Sequence, residues 1–466
     1  METIYKDALE SIGALRPSLP KVFEATEKAV ARSIEPKMRA LMTASELITF
    51  AGHLRKNISW EGASIPINAI SILIGGSGTG KGRSLGAIRQ ILAPALKLID
   101  VSRNSHAKLL AITAAEDAGK PATKWRDFYS KPRDLVTAVS TLPGWVKHLN
   151  TLEEGQLGAG TLYVDELASE MSASKDLMEL LTSLAILYDV GNLPVKAVKD
   201  DSSQGQSIHN LPVNALLFGS AYGFIEDEAT KKKFLAEGSS KLARRALVCF
   251  STAVLEDPAF TSVEESRKFD RDESERVAAV AKELIPWFIS LVEYTTHTDL
   301  QVTQDVKDTF SDYRNYNLVL ANRIPESSPL AKIHRQHRQW AALKLAGALA
   351  VLEGSDTVTQ TNMVEAINFI EMFVEDLDNF EKELNKEPYE LFISHMNRIH
   401  KDGFASMSVH QLRKAGFISG QSSDRKLHEL AELANSADDS KYVVSDKYIH
   451  FFLEDGESVG DRDELA

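Results

Sequence analysis

Residues Ile70-Ser71-Ile72-Leu73-Ile74 form an apolar run that stops against Gly75-Gly76-Ser77-Gly78-Thr79-Gly80-Lys81-Gly82. The run is too short for a helix, and its isoleucines suit a strand buried on both faces of a parallel sheet. The glycines that follow free the backbone to turn sharply. From residue 83 to residue 100 the apolar positions return at three- and four-residue steps, the period of a helix. A buried strand, a glycine turn and a helix in direct succession open a βαβ unit, so the spacing predicts an α/β fold with a parallel sheet.

Other segments fit the same sheet. Residues 161–164, 215–219 and 246–251 read as further buried strands, and residues 174–190 as an amphipathic helix between the first two. Strand-like runs at 195–198 and 207–209 flank a polar loop. Residues 21–57 read as a single N-terminal helix. After Pro258 the period is helical throughout, at 264–296, 303–321, 331–352 and 361–384, which predicts a separate helical region. Beyond Pro388 the order is helix (389–400), short helix (409–415), helix (423–434) and a β-like run (441–452), the pattern of a winged helix. The expected domains are an N-terminal helical region at 1–60, an α/β core at 61–256, a helical lid at 257–386, a winged-helix-like domain at 387–456 and an acidic tail at 457–466.

A chain of 466 residues exceeds one compact core, which agrees with several domains. Its 66 acidic and 53 basic residues give a net charge of −13. Contact with nucleic acid must therefore come from a local basic patch rather than from bulk charge. The single Cys249 excludes an intramolecular disulfide and fits a reducing compartment. The first residues lack the apolar core of a secretory signal, and no run of eighteen apolar residues occurs. A cytoplasmic protein with no membrane segment is expected.

Gly75, Gly80 and Lys81 stand at the G-x-x-x-x-G-K spacing of a phosphate-binding loop, or P-loop. Backbone N–H groups from Gly75 through Gly82 (Gly76, Ser77, Gly78, Thr79 and Gly80 between them) would wrap a phosphate. The helix N-terminus adds its dipole, and Lys81 reaches the terminal phosphates. The next position, where such loops carry the hydroxyl that holds Mg²⁺, is Gly82. Ser84 lies about 200° further round the helix and cannot simply replace it. Magnesium would be held through water, by Asp165, or by Thr79. Leu162-Tyr163-Val164 ends in Asp165-Glu166. In sites of this kind the first acid holds Mg²⁺ through water and the second polarises the attacking water. Ser220 ends the next apolar strand, where a polar residue senses the γ-phosphate. Lys241-Leu242-Ala243-Arg244-Arg245 precedes the fourth strand, and either arginine could reach a neighbouring subunit's ATP.

These residues resemble the additional-strand-catalytic-glutamate branch of P-loop ATPases, including AAA+ and superfamily-three-like helicases. More narrowly they resemble P-loop proteins of phages and prophages found beside primases. The P-loop, the acidic pair, the strand Leu211-Pro212-Val213-Asn214-Ala215-Leu216-Leu217-Phe218-Gly219 and residues 241–245 carry the resemblance over about residues 60 to 385. It implies an ATP- and Mg²⁺-dependent, ring-forming (hexameric) DNA helicase or translocase in phage replication, with a primase or another replication protein as possible partner. It also implies Arg244 or Arg245 as a finger in trans, and Arg335 or Arg338 as a lid arginine on the γ-phosphate. The alternative is an ATP-switched initiator, loader or adaptor that does not unwind DNA.

Two segments are candidates for single- or double-stranded DNA. One is the 195–209 hairpin with Lys196 and Lys199, opposed by Asp200 and Asp201; the other is the third helix of the winged-helix segment, with Arg425 and Lys426. His334 and His337, three apart on a helix without a third ligand, read as a surface pair. Cys249, Trp287 and Trp340 read as core packing.

Overall fold

A computed structural model describes residues 2–30, 34–75, 81–129, 131, 135–136, 142–153, 157–174, 176–194, 207–220, 223–224, 228–235, 241–251, 262–296, 298–400, 403–414, 417–418, 423–438 and 440–453. The chain forms two compact units, one of residues 1–220 and 232–380, the other of residues 221–231 and 381–466. No helix among the described residues is long and apolar enough to cross a membrane.

The larger unit is an α/β fold. A short hairpin, β1 (Ile58–Trp60) and β2 (Ala63–Ile65), leads into β3 (Ile70–Ile74), whose five residues are all buried. The sheet continues with β4 (Leu135–Val136), β5 (Gly160–Val164), β6 (Val213–Gly219) and β7 (Ala246–Phe250). Its spatial order is β4-β5-β6-β3-β7, and every pairing is parallel. The chain leaves β3 for the far edge, steps back through β5 and β6, and crosses to β7. β3 is therefore the strand at which the order reverses. In open α/β sheets the crevice outside the carboxyl ends at such a point is where ligands bind. Register places Ile70 beside Ala215 and Ala246, and Ile74 beside Gly219 and Phe250. The ends of β3, β6 and β7 are thus level.

The helix after β3 opens at Lys81 and runs to Asp117, seventeen residues beyond the expected end at residue 100. Pro94 does not end it, and the good helix formers of Leu109-Leu110-Ala111 and Ala114-Ala115-Glu116 extend it. The single helix expected at 21–57 is two, Lys21–Glu27 and Pro36–His53. Pro36 sits in the first turn of the second, and the Glu35 carboxylate caps it by accepting the Met38 N–H at 3.1 Å. Residues 195–198 lie outside the described residues. At 207–209 only a bridge from Ile208 to Leu193 forms.

The helical region does not stand apart from the sheet. Helices Val263–Glu293, Gln304–Ala321, Pro329–Leu352 and Gln360–Glu371 belong to the same compact unit as β3 to β7. One hydrophobic core runs from Leu9 through Met38, Leu73 and Ile88 to Leu349 and Phe373. Two further strands, β8 (Gln301–Val302) and β9 (Thr357–Val358), pair parallel between the helices. The periodicity separated these segments because each helix carries its own apolar stripe, and a stripe does not say which layer it will meet.

In the smaller unit the order is helix Pro388–Ile399, β10 (Phe404–Ser408), helix Val409–Lys414, helix Ser423–Ala437, β11 (Lys441–Ser445) and β12 (Tyr448–Phe452). The three strands pair antiparallel in the order β10-β12-β11. Phe392, Leu412, Leu427, Ile449 and Phe451 form the centre of a separate core.

Candidate nucleotide site at the carboxyl ends of the sheet

β3 delivers Gly75 to the switch point. The Gly75 N–H donates to the Gly219 carbonyl at 3.0 Å, and the Ser251 N–H donates to the Ile74 carbonyl at 3.0 Å, so the ends of three strands are tied together. An added Cβ at Gly75 would lie 2.1 Å from Met38 Cε, so the flexible end of the Met38 side chain would have to move aside. Gly76, Ser77, Gly78, Thr79 and Gly80 lie outside the described residues, as does the side chain of Lys81; the Lys81 backbone is the first turn of the long helix. Gly82 is exposed, and an added Cβ would meet nothing within 4 Å. Ser84 is fully buried, and its hydroxyl has no hydrogen-bond partner among the described residues. A hydroxyl so enclosed does not substitute for the one missing at Gly82.

β5 brings Asp165 and Glu166 to the same end of the sheet. Asp165 is exposed, and Tyr163 Oη donates to its Oδ1 at 3.3 Å. Glu166 begins the helix Leu167–Ala173, yet its carboxylate does not cap that helix. It turns across to the end of β6 instead, where Oε1 accepts the Ser220 N–H at 3.1 Å and the Ser220 hydroxyl at 3.5 Å. One carboxylate oxygen is held and Oε2 has no partner among the described residues, an arrangement suited to accepting a proton. Asp165, Glu166, Ser220 and Gly75 thus gather at one edge, as their places at strand ends led us to expect.

Three residues that the sequence reading did not single out stand behind Asp165. Arg89, two turns into the long helix, forms a forked ion pair with Glu46 at 3.0 to 3.3 Å. Its guanidinium carbon lies 5.2 Å from the centre of the Tyr163 ring. Burial pushes the Glu46 carboxyl up, opposed by the Arg89 charge. Burial and then the Asp165 charge push the Tyr163 phenol up, so it remains a donor. The chain Glu46–Arg89–Tyr163–Asp165 fixes the position of the acid. An arginine eight residues after Lys81 gave no signal of this, because its partner comes from a helix 43 residues earlier.

No three His, Cys, Asp or Glu side chains group as a metal cage among the described residues. Mg²⁺ is commonly held by one or two carboxylates together with substrate phosphates and waters. The exposed Asp165 fits that donor set.

The arginines lie elsewhere. Arg245 is 6% exposed, and its guanidinium forms a forked pair with Asp189, with a 2.8 Å bond from Nε to Oδ1 and a 2.5 Å bond from the terminal nitrogen to Oδ2. It also donates to the Lys241 carbonyl at 2.7 Å. Sequence reading offered Arg245 as a finger reaching a neighbouring subunit's ATP; paired in this way it is not free to serve as one. Its neighbour Arg244 is part-exposed and makes no ion pair among the described residues; burial and the Arg245 charge push it down. Arg338 is buried and paired with Glu371 at 3.2 Å, and Arg335 donates to Asn317 Oδ1 at 3.3 Å. Both belong to the first turns of a helix whose His334 Nε2 donates to the Ala246 carbonyl at 3.2 Å. Ala246 begins β7, and the phosphate end of the sheet is about 13 Å away along the strand. Neither residue is placed to touch a γ-phosphate bound in its own subunit.

His334 is also not on the surface. It is 5% exposed, and burial and then Arg338 push its imidazole well below the usual range. Trp287 is 44% exposed, with its indole N–H donated to the Leu352 carbonyl at 3.0 Å, so it packs only in part. Cys249 is buried, and Trp340 packs against Trp60 and Phe310. Lys196 and Lys199 lie outside the described residues. Arg425 is bound to Glu429 one turn on at 2.6 Å, and Lys426, beside it, is half-buried. No protein-family model and no curated protein matches the chain, so the chemistry of the site rests on its own residues and geometry.

Proposed function

We propose that this chain is a P-loop ATPase that binds ATP with Mg²⁺ at Lys81, Asp165 and Glu166 and uses its hydrolysis to drive a ring-forming DNA helicase or translocase. The observation that carries the reading is the Glu166–Ser220 contact at the carboxyl ends of β5 and β6, at the same end of the sheet as Gly75 after β3. The additional strand that names the branch resembled is expected between the P-loop strand and the acidic strand, and β6 has that place.

The roles follow from placement. Lys81, on the first helical turn, would neutralise the terminal phosphates. Asp165, fixed by Tyr163, would hold Mg²⁺ through water. Mg²⁺, when bound, supplies positive charge to the phosphate oxygens. Glu166 would take a proton from the attacking water through Oε2 while Ser220 keeps Oε1 in place. Arg244, at the amino edge of β7, is the arginine left to reach a neighbouring subunit. The smaller unit, read as a winged helix, would dock on DNA or on a partner protein.

Replacing Glu166 by Gln should keep ATP binding and slow turnover by at least about a hundredfold, the usual scale for losing a general base. Undiminished turnover would remove Glu166 from the mechanism. The second reading, an ATP-operated switch without unwinding, is favoured by Gly82, which leaves Mg²⁺ without its usual hydroxyl. Particle mass with ATP and Mg²⁺ separates the two: a hexamer supports the motor, and a monomer the switch.

A further inference from the structure

Beyond the far end of the helix Lys81–Asp117 the chain turns back as a short 3-10 helix, Ala122–Asp127. This turn sets aromatic rings among cations. The Lys108 ammonium lies 5.1 Å from the centre of the Trp125 ring, and the Arg126 guanidinium carbon 5.6 Å from the same centre. Lys120 lies 4.9 Å from the centre of the Phe128 ring. Trp125 and Tyr129 meet edge to face at 5.4 Å, and Tyr129 Oη donates to Asn104 Oδ1 at 2.8 Å, which ties the turn to the helix. Lys108, Lys120, Lys124, Arg126 and Lys131 are all exposed.

None of these five cations forms an ion pair among the described residues, although Glu116, Asp117 and Asp127 share the same stretch. Carboxylates outnumber cations in this chain, 66 to 53; some exposed arginines elsewhere take one, as Arg83 does with Asp270 at 2.8 Å and Arg425 with Glu429 at 2.6 Å, while Arg267, Arg271 and Arg314 are exposed without an ion pair among the described residues. A run of lysines is ordinarily only a solvated face. Here Lys108, Lys120 and Arg126 are seated on rings, so their charged ends are held in place without being neutralised. A polyanion binding them would lose less side-chain entropy than it would on free lysines. Aromatic rings interleaved with cations also match what unpaired bases on a phosphate backbone require.

We propose that this surface binds single-stranded nucleic acid, with Lys108, Lys120, Lys124 and Arg126 on the phosphates and the Trp125 and Phe128 rings beside the bases. The proposal rests on the motor reading for the class of partner, but not on ATP hydrolysis. It is tested with the full chain, without nucleotide, by titrating a labelled oligo(dT) of roughly twenty nucleotides between about 50 and 200 mM salt. The double variant Lys124→Glu/Arg126→Glu should weaken binding at least about tenfold. It should also lower the slope of log affinity against log salt by about 1.4, two phosphate contacts at about 0.7 each. Lys108→Glu/Lys120→Glu, which removes the two lysines seated on rings, should do the same, so one misfolded variant does not decide the matter. No binding by the unaltered chain, or unchanged affinity in both folded variants, overturns the proposal. Equal affinity for a duplex of the same length also overturns it, and so does equal competition by anionic lipid vesicles, which would assign the patch to a membrane surface. If ATP turnover were absent while oligo(dT) binding still depended on these four residues, the nucleotide reading would fail and this one would stand.

Discussion

At the amino ends of β3 and β7 the cations Arg245, Arg338 and Lys344 are buried and hydrogen-bonded, while Arg244 is part-exposed. Arg245 is clasped by Asp189, and Arg338 by Glu371. The fully buried Lys344 ammonium donates to the Pro66 carbonyl, Asn68 Oδ1 and the Tyr188 carbonyl at 2.7 to 2.8 Å and lies 4.4 Å from the centre of the Tyr188 ring. At the carboxyl ends the balance is reversed. Asp165 is exposed, and Glu166 keeps one oxygen without a partner among the described residues. The residue types at the two ends are alike, so identity alone does not separate structure from chemistry. What separates them is whether the charge is already satisfied. A matched buried charge fastens the helical layer to the sheet, whereas a charge left open can act on a ligand.

The largest effect expected from breaking this contrast is at the open end. Lys81→Ala should bring ATP binding and turnover to background in a protein that stays folded, because it removes the cation expected at the terminal phosphates. Equilibrium titration with ATP checks it, and unchanged affinity would remove this loop from the site.

At the closed end the largest effect is pH-dependent. Burial pushes the Lys344 ammonium down to about 7 from its usual 10.5, with Arg245 adding to the shift and Asp189 opposing it. The unfolded chain binds this proton up to pH 10.5, whereas the folded chain gives it up near 7. The unfolded state therefore holds more protons across that window, and stability rises with pH through it. The gain is on the order of 5 kcal/mol at most. Chemical denaturation from pH 7 to 10 should show this rise in the native chain and a flatter profile in Lys344→Met. Parallel profiles would mean that the ammonium is not titrating.

Arg245→Ala should cost about 2 to 3 kcal/mol of stability, below the usual 3 to 5 for breaking a buried pair because Asp189 remains half in water. Arg244→Ala should leave stability within about 0.5 kcal/mol, as for an unpaired surface residue. Under the ring reading it should nonetheless slow turnover at high protein concentration by about a thousandfold if it is the finger. Equal stability losses in the two variants would dissolve the distinction between a matched and an open arginine.

The smallest effect is expected at Gly82→Ser. A Cβ there meets nothing within 4 Å, so the variant should fold normally. A restored hydroxyl should tighten Mg²⁺ binding or raise turnover by less than about tenfold, the net worth of roughly one ordinary hydrogen bond. A Mg²⁺ titration of ATP turnover checks it.

The candidate site was legible because its signals are local in sequence. Ile70 to Lys81 can be read as strand, turn and helix without knowing any neighbour, and Asp165-Glu166 can be placed at a strand end from the apolar run before it. The arginines were misjudged for the opposite reason. Asp189 lies 56 residues from Arg245, and Glu371 33 residues from Arg338, so nothing near either arginine shows that it is paired. His334 was misread in the same way, since its acceptor, the Ala246 carbonyl, is 88 residues away.

The sequence by itself determined the parallel α/β class, the strand–glycine–helix turn ending at Lys81, the acidic pair after β5 and the succession of helices after the sheet. Each depends on the periodicity or steric preference of adjacent residues, which the chain carries wherever it folds. Tertiary structure alone decided that β6 lies between β3 and β5, that Ser220 holds Glu166, that the later helices share the core of the sheet, and that Arg245 and Arg338 are closed off while Arg244 is not. Those outcomes depend on which distant segments come to lie side by side, and pairing across long stretches of chain leaves no mark in local pattern.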